Sequence, residues 1–141
     1  MSFYLDASAI LPIFVYEPSS QIVQSFLSAA DQPLIVNEFA AAEVASGLSR
    51  RARTGSLTPE EAKAGLAQFD VWRATLTVDL DLQASDFRLA NVFVRRFELG
   101  LRAPDALHAA VCRRGDLTLV TLDLRLATAA QALGVRVEIP A

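Results

Sequence analysis

The chain reads as an α/β domain: a mostly parallel five-stranded sheet with helices on both faces. Two observations predict this. Five short β-like runs, at Phe3–Leu5, Leu34–Val36, Leu76–Val78, Leu117–Thr121 and Val135–Ile139, alternate with longer helical patterns. Such alternation favours a parallel sheet covered by helices. Second, isolated carboxylates fall at the junctions between these elements. Ligands of open parallel sheets bind outside the carboxyl ends of strands.

The first run ends directly at Asp6. The apolar stretch 7–16 that follows is half the roughly 20 residues of a membrane span. It also follows an acid, where a signal peptide would start with basic residues. After Leu34–Val36, Asn37 can cap a helix that carries Glu43. Thr58-Pro59-Glu60-Glu61 reads as an N-cap, a first-turn proline and a capping-box glutamate. Pro104 and Asp105 open a later helix, whose dipole favours an acid in its first turn. Asp123 directly follows the fourth run. Gly55, Gly100, Gly115 and Gly134 each follow a helical stretch, where a left-handed cap residue is wanted.

The 141 residues are expected to form one domain, 1–141, with no internal repeat or linker. An apolar fraction of 52% excludes a disordered chain. No apolar run suits a membrane span, and a single cysteine permits no internal disulfide, which together suit the cytoplasm. The net charge of −3 gives no overall basic footprint for nucleic acid. Setting aside the four isolated carboxylates leaves 12 acids against 13 bases. Those bases are arginines except for Lys63, and they cluster at Arg50, Arg51 and Arg53, at Arg95 and Arg96, and at Arg113 and Arg114. Solvated helix ends and phosphate contacts account for these clusters equally well.

Four acids stand out by their isolation. Asp6 is the only charged residue in 1–16, Glu43 in 39–49, Asp105 in 103–112 and Asp123 in 117–124. A lone carboxylate in apolar surroundings needs a partner, and no Lys or Arg lies near Asp6 or Glu43 in sequence. Each has a bland explanation: a turn acid at Asp6, a helix N-terminal acid at Asp105, a strand-to-helix cap at Asp123. Glu43 has the weakest one, since mid-helix acids usually have polar neighbours. It shares a row with Phe39 and Gly47, beside the apolar row Ala40, Val44 and Leu48, so it points inward or across a rim. A shared divalent cation accounts for all four. Clustered carboxylates repel, and a cation reverses the repulsion. An all-oxygen set suits Mg²⁺ or Mn²⁺, which also take phosphate oxygens. One His and one Cys are too few for zinc.

Accessory groups follow from spacing. Ser8 lies two residues after Asp6 and can orient it, bind phosphate or cap a helix. Thr121 lies two before Asp123 and shares its face of a strand, as a hydroxyl behind the acids. His108, one turn after Asp105, reads as a packing histidine, and Cys112 as a small buried hydrophobe. Phe69 and Trp72 read as packing residues.

In Y-L-D-A-S-A-I-L, A-A-E-V-A-S-G-L with R-R-A-R-T-G-S-L-T-P-E-E, L-R-A-P-D-A-L-H-A-A and L-V-T-L-D-L-R-L, the chain resembles the PIN-domain ribonucleases of the VapC toxin type. The resemblance spans essentially the whole chain. It places the family's acidic quartet on Asp6, Glu43, Asp105 and Asp123, and its accessory hydroxyls on Ser8 and Thr121. It implies a three-layer α/β/α sandwich, Mg²⁺ or Mn²⁺ dependence and endonucleolytic cleavage of RNA. It also implies a homodimer and a cognate antitoxin that covers the site. The helical pair at 38–75 supports a partner: Phe39, Val44, Leu48, Leu57, Leu66, Phe69 and Trp72 offer more apolar surface than one small domain is expected to cover. Other readings fit less well. A phosphatase with Asp6 as nucleophile needs an acid at position 8, where Ser8 stands. A phospho-acceptor domain needs a lysine after a late strand, and Lys63 is elsewhere. A catalytically silent PIN-like module that binds RNA or protein is the alternative, and the intact quartet argues against it.

Overall fold

Alternation along the strands sends side chains to two helical layers. The computed structural model describes residues 1–141. Its four strands are β1 (Phe3–Leu5), β2 (Leu34–Ile35), β3 (Thr118–Val120) and β4 (Arg136–Glu138). All pair parallel, in the order β2-β1-β3-β4. Tyr4 stands between Ile35 and Leu119, and Leu5 beside Val120. Leu5 and Val120 join one core cluster, while Tyr4, Ile35 and Leu119 join another. The sheet is therefore the middle of three layers, as expected.

The helices are α1 (Ala7–Phe14), α2 (Ser20–Ala29), α3 (Glu38–Thr54), α4 (Pro59–Leu76), α5 (Ala84–Val94), α6 (Ala103–Gly115) and α7 (Leu124–Ala132). Helices α1, α3 and α4 pack on the Leu5 side through Ile10, Val44, Leu48 and Phe69. Helices α6 and α7 cover the Tyr4 side through Val111, Cys112, Leu126 and Ala130, with α5 against α6. No helix is long and apolar enough to cross a membrane.

The expected caps form. Thr58 and Glu61 make a reciprocal capping box, and Asn37 accepts the Ala40 N–H. Gly55, Gly100 and Gly134 take positive φ. Gly115 does not; the left-handed residue after α6 is Asp116. An added Cβ at 115 would lie 3.0 Å from the Leu117 side chain, a tight contact.

Two expectations are corrected. The sheet has four strands, not five. Leu76 completes α4, and Val78 makes only a single parallel bridge to Ile35. The run is too short to extend a ladder once α4 has taken its first residue, and Val78 lies exposed at the sheet edge. The apolar residues of the 38–75 pair are also largely covered within the chain. Val44, Leu48 and Phe69 are buried, and Phe14 packs edge-on against both Phe69 and Trp72. The apolar groups left exposed there are Val71 and Leu76.

The topology sets the functional position. From β1 the chain moves to β2 on one side, then returns to β3 on the other. The strand order reverses between β1 and β3, and the space beyond their carboxyl ends is where such sheets bind ligands. Asp6 and Thr121 follow these two strands directly.

Candidate metal centre

Asp6 is buried, at 5% exposure, and every polar group around it is committed. Its Oδ1 accepts from Ser8 Oγ at 2.7 Å and from the Ala9 N–H at 3.2 Å, which makes Asp6 the N-cap of α1. Its Oδ2 accepts from Thr121 Oγ1 at 2.7 Å. The two hydroxyls are themselves held. Ser8 Oγ accepts from the Leu122 N–H at 2.9 Å, and Thr121 Oγ1 from the Asp123 N–H at 3.0 Å. Ser8 is thus not the helix cap; it and Thr121 fasten the loop after β3 to Asp6. Burial pushes the Asp6 carboxyl above its ordinary range, against the hydrogen bonds from Ser8, Thr121 and the Ala9 N–H.

Asp123 follows β3 by two intervening residues rather than directly, because the strand ends at Val120. It caps α7, with Oδ1 accepting from the Arg125 and Leu126 N–H groups at 3.0 and 3.2 Å. Asp105 sits in the first turn of α6, with Arg102 Nε 3.8 Å from its Oδ2. Its carboxyl is raised by burial first and then by the charge of Asp123, with Glu43 adding to the effect. Arg102 opposes the rise. Glu43 lies at the rim on α3, its side chain 31% exposed, with Oε1 2.5 Å from His108 Nε2.

His108 links the acids. It bonds Glu43 and lies close to both Asp6 and Asp105. As expected it is a buried packing residue, but it also engages a site carboxylate. The sequence hinted at this only through its spacing from Asp105. Two further participants carried no signal. Tyr4 reads as an ordinary strand residue, yet its hydroxyl lies 2.6 Å from His108 Nδ1. Arg102 reads as a helix-start arginine, yet it lines two hollows. One holds Asp105, Asp123 and Arg125; the other holds Ser8, Glu43, Arg50 and Arg51.

The donors suit a hard cation. All four acids offer carboxylate oxygen, and their mutual repulsion, felt at Asp105, is what a divalent ion would relieve. No three of them form a ready cage, since Glu43 is turned to His108 and Asp105 to Arg102. A thiolate is not on offer, because burial pushes the Cys112 thiol far above its ordinary range.

The PIN domain family matches residues 3–132. The chain is 32% identical over 133 residues to ribonuclease VapC3 of Pyrobaculum aerophilum, covering 94% of this chain and 98% of that one. Its fold is similar to that of the crystal structure of Mycobacterium tuberculosis VapC20, a sarcin-ricin loop cleaving toxin. There the TM-score is 0.75 at 17% identity, over 91% of this chain and 95% of that one. VapBC2 from Rickettsia felis, bound to a fragment of its promoter DNA, gives a TM-score of 0.73 at 15% identity over 99% and 98% of the two chains.

The Asp6 network has a pH signature. A carboxyl raised by folding contributes stability below its unfolded value, and that contribution is lost as pH rises through the folded value. Replacing Thr121 with Val removes a donor to the ionised form and raises the Asp6 carboxyl further. The variant is expected to be less stable at pH 7 by about 1–3 kcal/mol, with a smaller deficit near pH 4. Urea unfolding at the two pH values measures this. A deficit independent of pH would mean that Thr121 supports packing and not the Asp6 charge.

Proposed function

The chain belongs to the PIN-domain family, and from that premise we propose that it is a metal-dependent endoribonuclease of the VapC toxin type. One observation carries the reading. Beyond the carboxyl ends of β1 and β3, Glu43 bonds His108, Asp6 and Asp105 lie near that ring, and Asp123 is close enough to Asp105 for their charges to interact. The family relative VapC3 is itself named a ribonuclease.

Asp6, Glu43, Asp105 and Asp123 would hold the ion, with Mg²⁺ preferred and Mn²⁺ able to replace it. When bound, such an ion supplies positive charge against a phosphodiester and its leaving oxygen. Ser8 and Thr121 are accessory: they keep Asp6 ionised and aimed. Hydrolysis replaces one P–O bond of the RNA with a bond to the oxygen of water, and the leaving oxygen takes a proton. The working unit is proposed to be the single domain 1–141, acting in the cytoplasm.

RNA is gripped locally. Exposed Arg50 and Arg102 line the groove that runs past Ser8 and Glu43, and Arg125 flanks Asp123. We propose that these guanidiniums take backbone phosphates on either side of the scissile bond. A cognate antitoxin would occupy the apolar groove of about 420 Å³ formed by Phe39, Phe87, Val94, Pro104 and Leu107. That groove adjoins Asp105 through Pro104. An amphipathic antitoxin helix fits it, with arginines reaching the acids. A homodimer would cover the exposed Val71 and Leu76 beside Trp72.

Cleavage of RNA is expected with Mg²⁺ or Mn²⁺ and is expected to stop in EDTA. Alanine at Asp6, Glu43, Asp105 or Asp123 is expected to lower the rate by at least about 10²-fold, the cost of a misassembled centre. Undiminished cleavage in EDTA would rule out this chemistry. An inert protein that still binds RNA would favour the silent module.

Binding of a single-stranded RNA in EDTA isolates the arginines. Arg50→Ala and Arg102→Ala are each expected to flatten the slope of log K against log salt by about 0.7, one phosphate contact apiece. Unchanged slopes would place the RNA elsewhere.

Light scattering at micromolar concentration is expected to give twice the chain mass. Val71→Glu with Leu76→Glu is expected to halve it, and a monomeric wild type would remove the dimer.

A further inference from the structure

His108 is the chain's single histidine, and both ring nitrogens are engaged. Nδ1 meets the Tyr4 hydroxyl at 2.6 Å and Nε2 meets Glu43 Oε1 at 2.5 Å. The ring is 1% exposed and lies against Tyr4 and Phe39, with centroids 5.5 and 5.0 Å away. Packing and both ring hydrogen bonds therefore restrain its orientation. Tyr4 is fixed too, at 0% exposure in the central strand. Glu43, by contrast, is partly exposed, with no partner other than His108.

The direction of these bonds can be assigned. A carboxylate only accepts, so Nε2 must carry the proton that meets Glu43. A neutral imidazole then has a bare Nδ1, which accepts from the Tyr4 hydroxyl. Burial keeps that phenol protonated and able to donate. The order of donation is thus Tyr4 to His108 to Glu43, from the sheet outward to the rim.

We propose that His108 is a positioning residue: locked by Tyr4 as the Nε2–H tautomer, it holds Glu43 in the orientation that receives the ion. The inference rests on the metal-site reading and adds a residue to it. A free glutamate on a helix rim samples many rotamers, and capturing an ion would have to stop that motion. Here one carboxylate oxygen is tied to a buried ring, and Oε2 is left for the ion. Partners one step behind a metal ligand commonly act in this way.

The test has two arms. In the metal-free protein at one neutral pH, ring ¹⁵N shifts report the tautomer of the sole histidine without ambiguity. The wild type is expected to show a protonated Nε2 and a bare Nδ1. Tyr4→Phe is expected to move the ring toward the other tautomer. A wild-type Nδ1–H ring, or a ring that Tyr4→Phe leaves unchanged, would overturn the assignment. In the second arm, free Mn²⁺ is counted by its electron paramagnetic resonance signal during titration without RNA. His108→Phe fills the space without a donor and is expected to weaken Mn²⁺ binding about 10- to 100-fold. His108→Gln restores a donor near Nε2 and is expected to recover most of the affinity. Equal weakening by Phe and Gln in folded proteins would make His108 a packing residue only. If the wild type itself takes up no Mn²⁺, the metal reading fails, and the tautomer arm still decides the His108–Glu43 linkage.

Discussion

The Asp6 carboxylate is the group on which the rest of the site depends. It sits at the end of the central strand, almost without water. An ionised group there is costly unless it is fully hydrogen-bonded. Ser8, Thr121 and the Ala9 N–H meet that need. Each hydroxyl then takes an N–H from the loop after β3. One buried charge therefore fixes the start of α1, the end of β3 and the approach to Asp123. Removing either hydroxyl would loosen two carboxylates together. The arrangement requires β1 and β3 to be neighbours, and the strand order provides this.

The outer acids are held less firmly. The pair between Arg102 and Asp105 is long, at 3.8 Å, with the arginine side chain 82% exposed. Exposed pairs of this kind are worth about 0–1 kcal/mol, so a phosphate can draw Arg102 away at little cost. An entering cation would do the same at Asp105. The interior of the site is thus rigid at Asp6 and His108, while its solvent side carries exchangeable partners. That gradient suits the proposed centre, which would admit both an ion and a polyanion. No three acids form a closed cage, since Glu43 meets His108 and Asp105 faces Arg102.

Much of this was legible in the sequence, for a physical reason. An acid isolated in an apolar run has few ways to be satisfied, so isolation marks a residue that needs a specific partner. Asp6 and Asp105 were placed correctly from strand ends and helix starts, because Pro104 and the run Phe3–Leu5 are strong local signals. The capping box at Thr58 formed as read. The fifth strand did not, because Leu76–Val78 competes with the end of α4 and propensity alone cannot settle such a contest. The left-handed cap fell one residue later than read, on Asp116, because α6 runs through Gly115. The apolar surplus of the 38–75 pair was misjudged because Phe14 on α1, distant in sequence, covers Phe69 and Trp72. Tyr4 and Arg102 gave no warning, since their roles depend on partners about a hundred residues away or on the meeting of two hollows.

The overall negative charge of the chain now has a simple account. Nucleic-acid binding by a diffuse basic surface would need a positive total. Here four of the acids that set the sign lie beyond the sheet, where the proposed ion would bind. The arginines stand around them, at Arg50 and Arg102 on one side and Arg125 on the other. A phosphate arriving between them meets positive charge at the rim before it meets the acids. On the proposed function, an ion held by these acids would end their repulsion of it, so the field over the cleft would depend on metal occupancy.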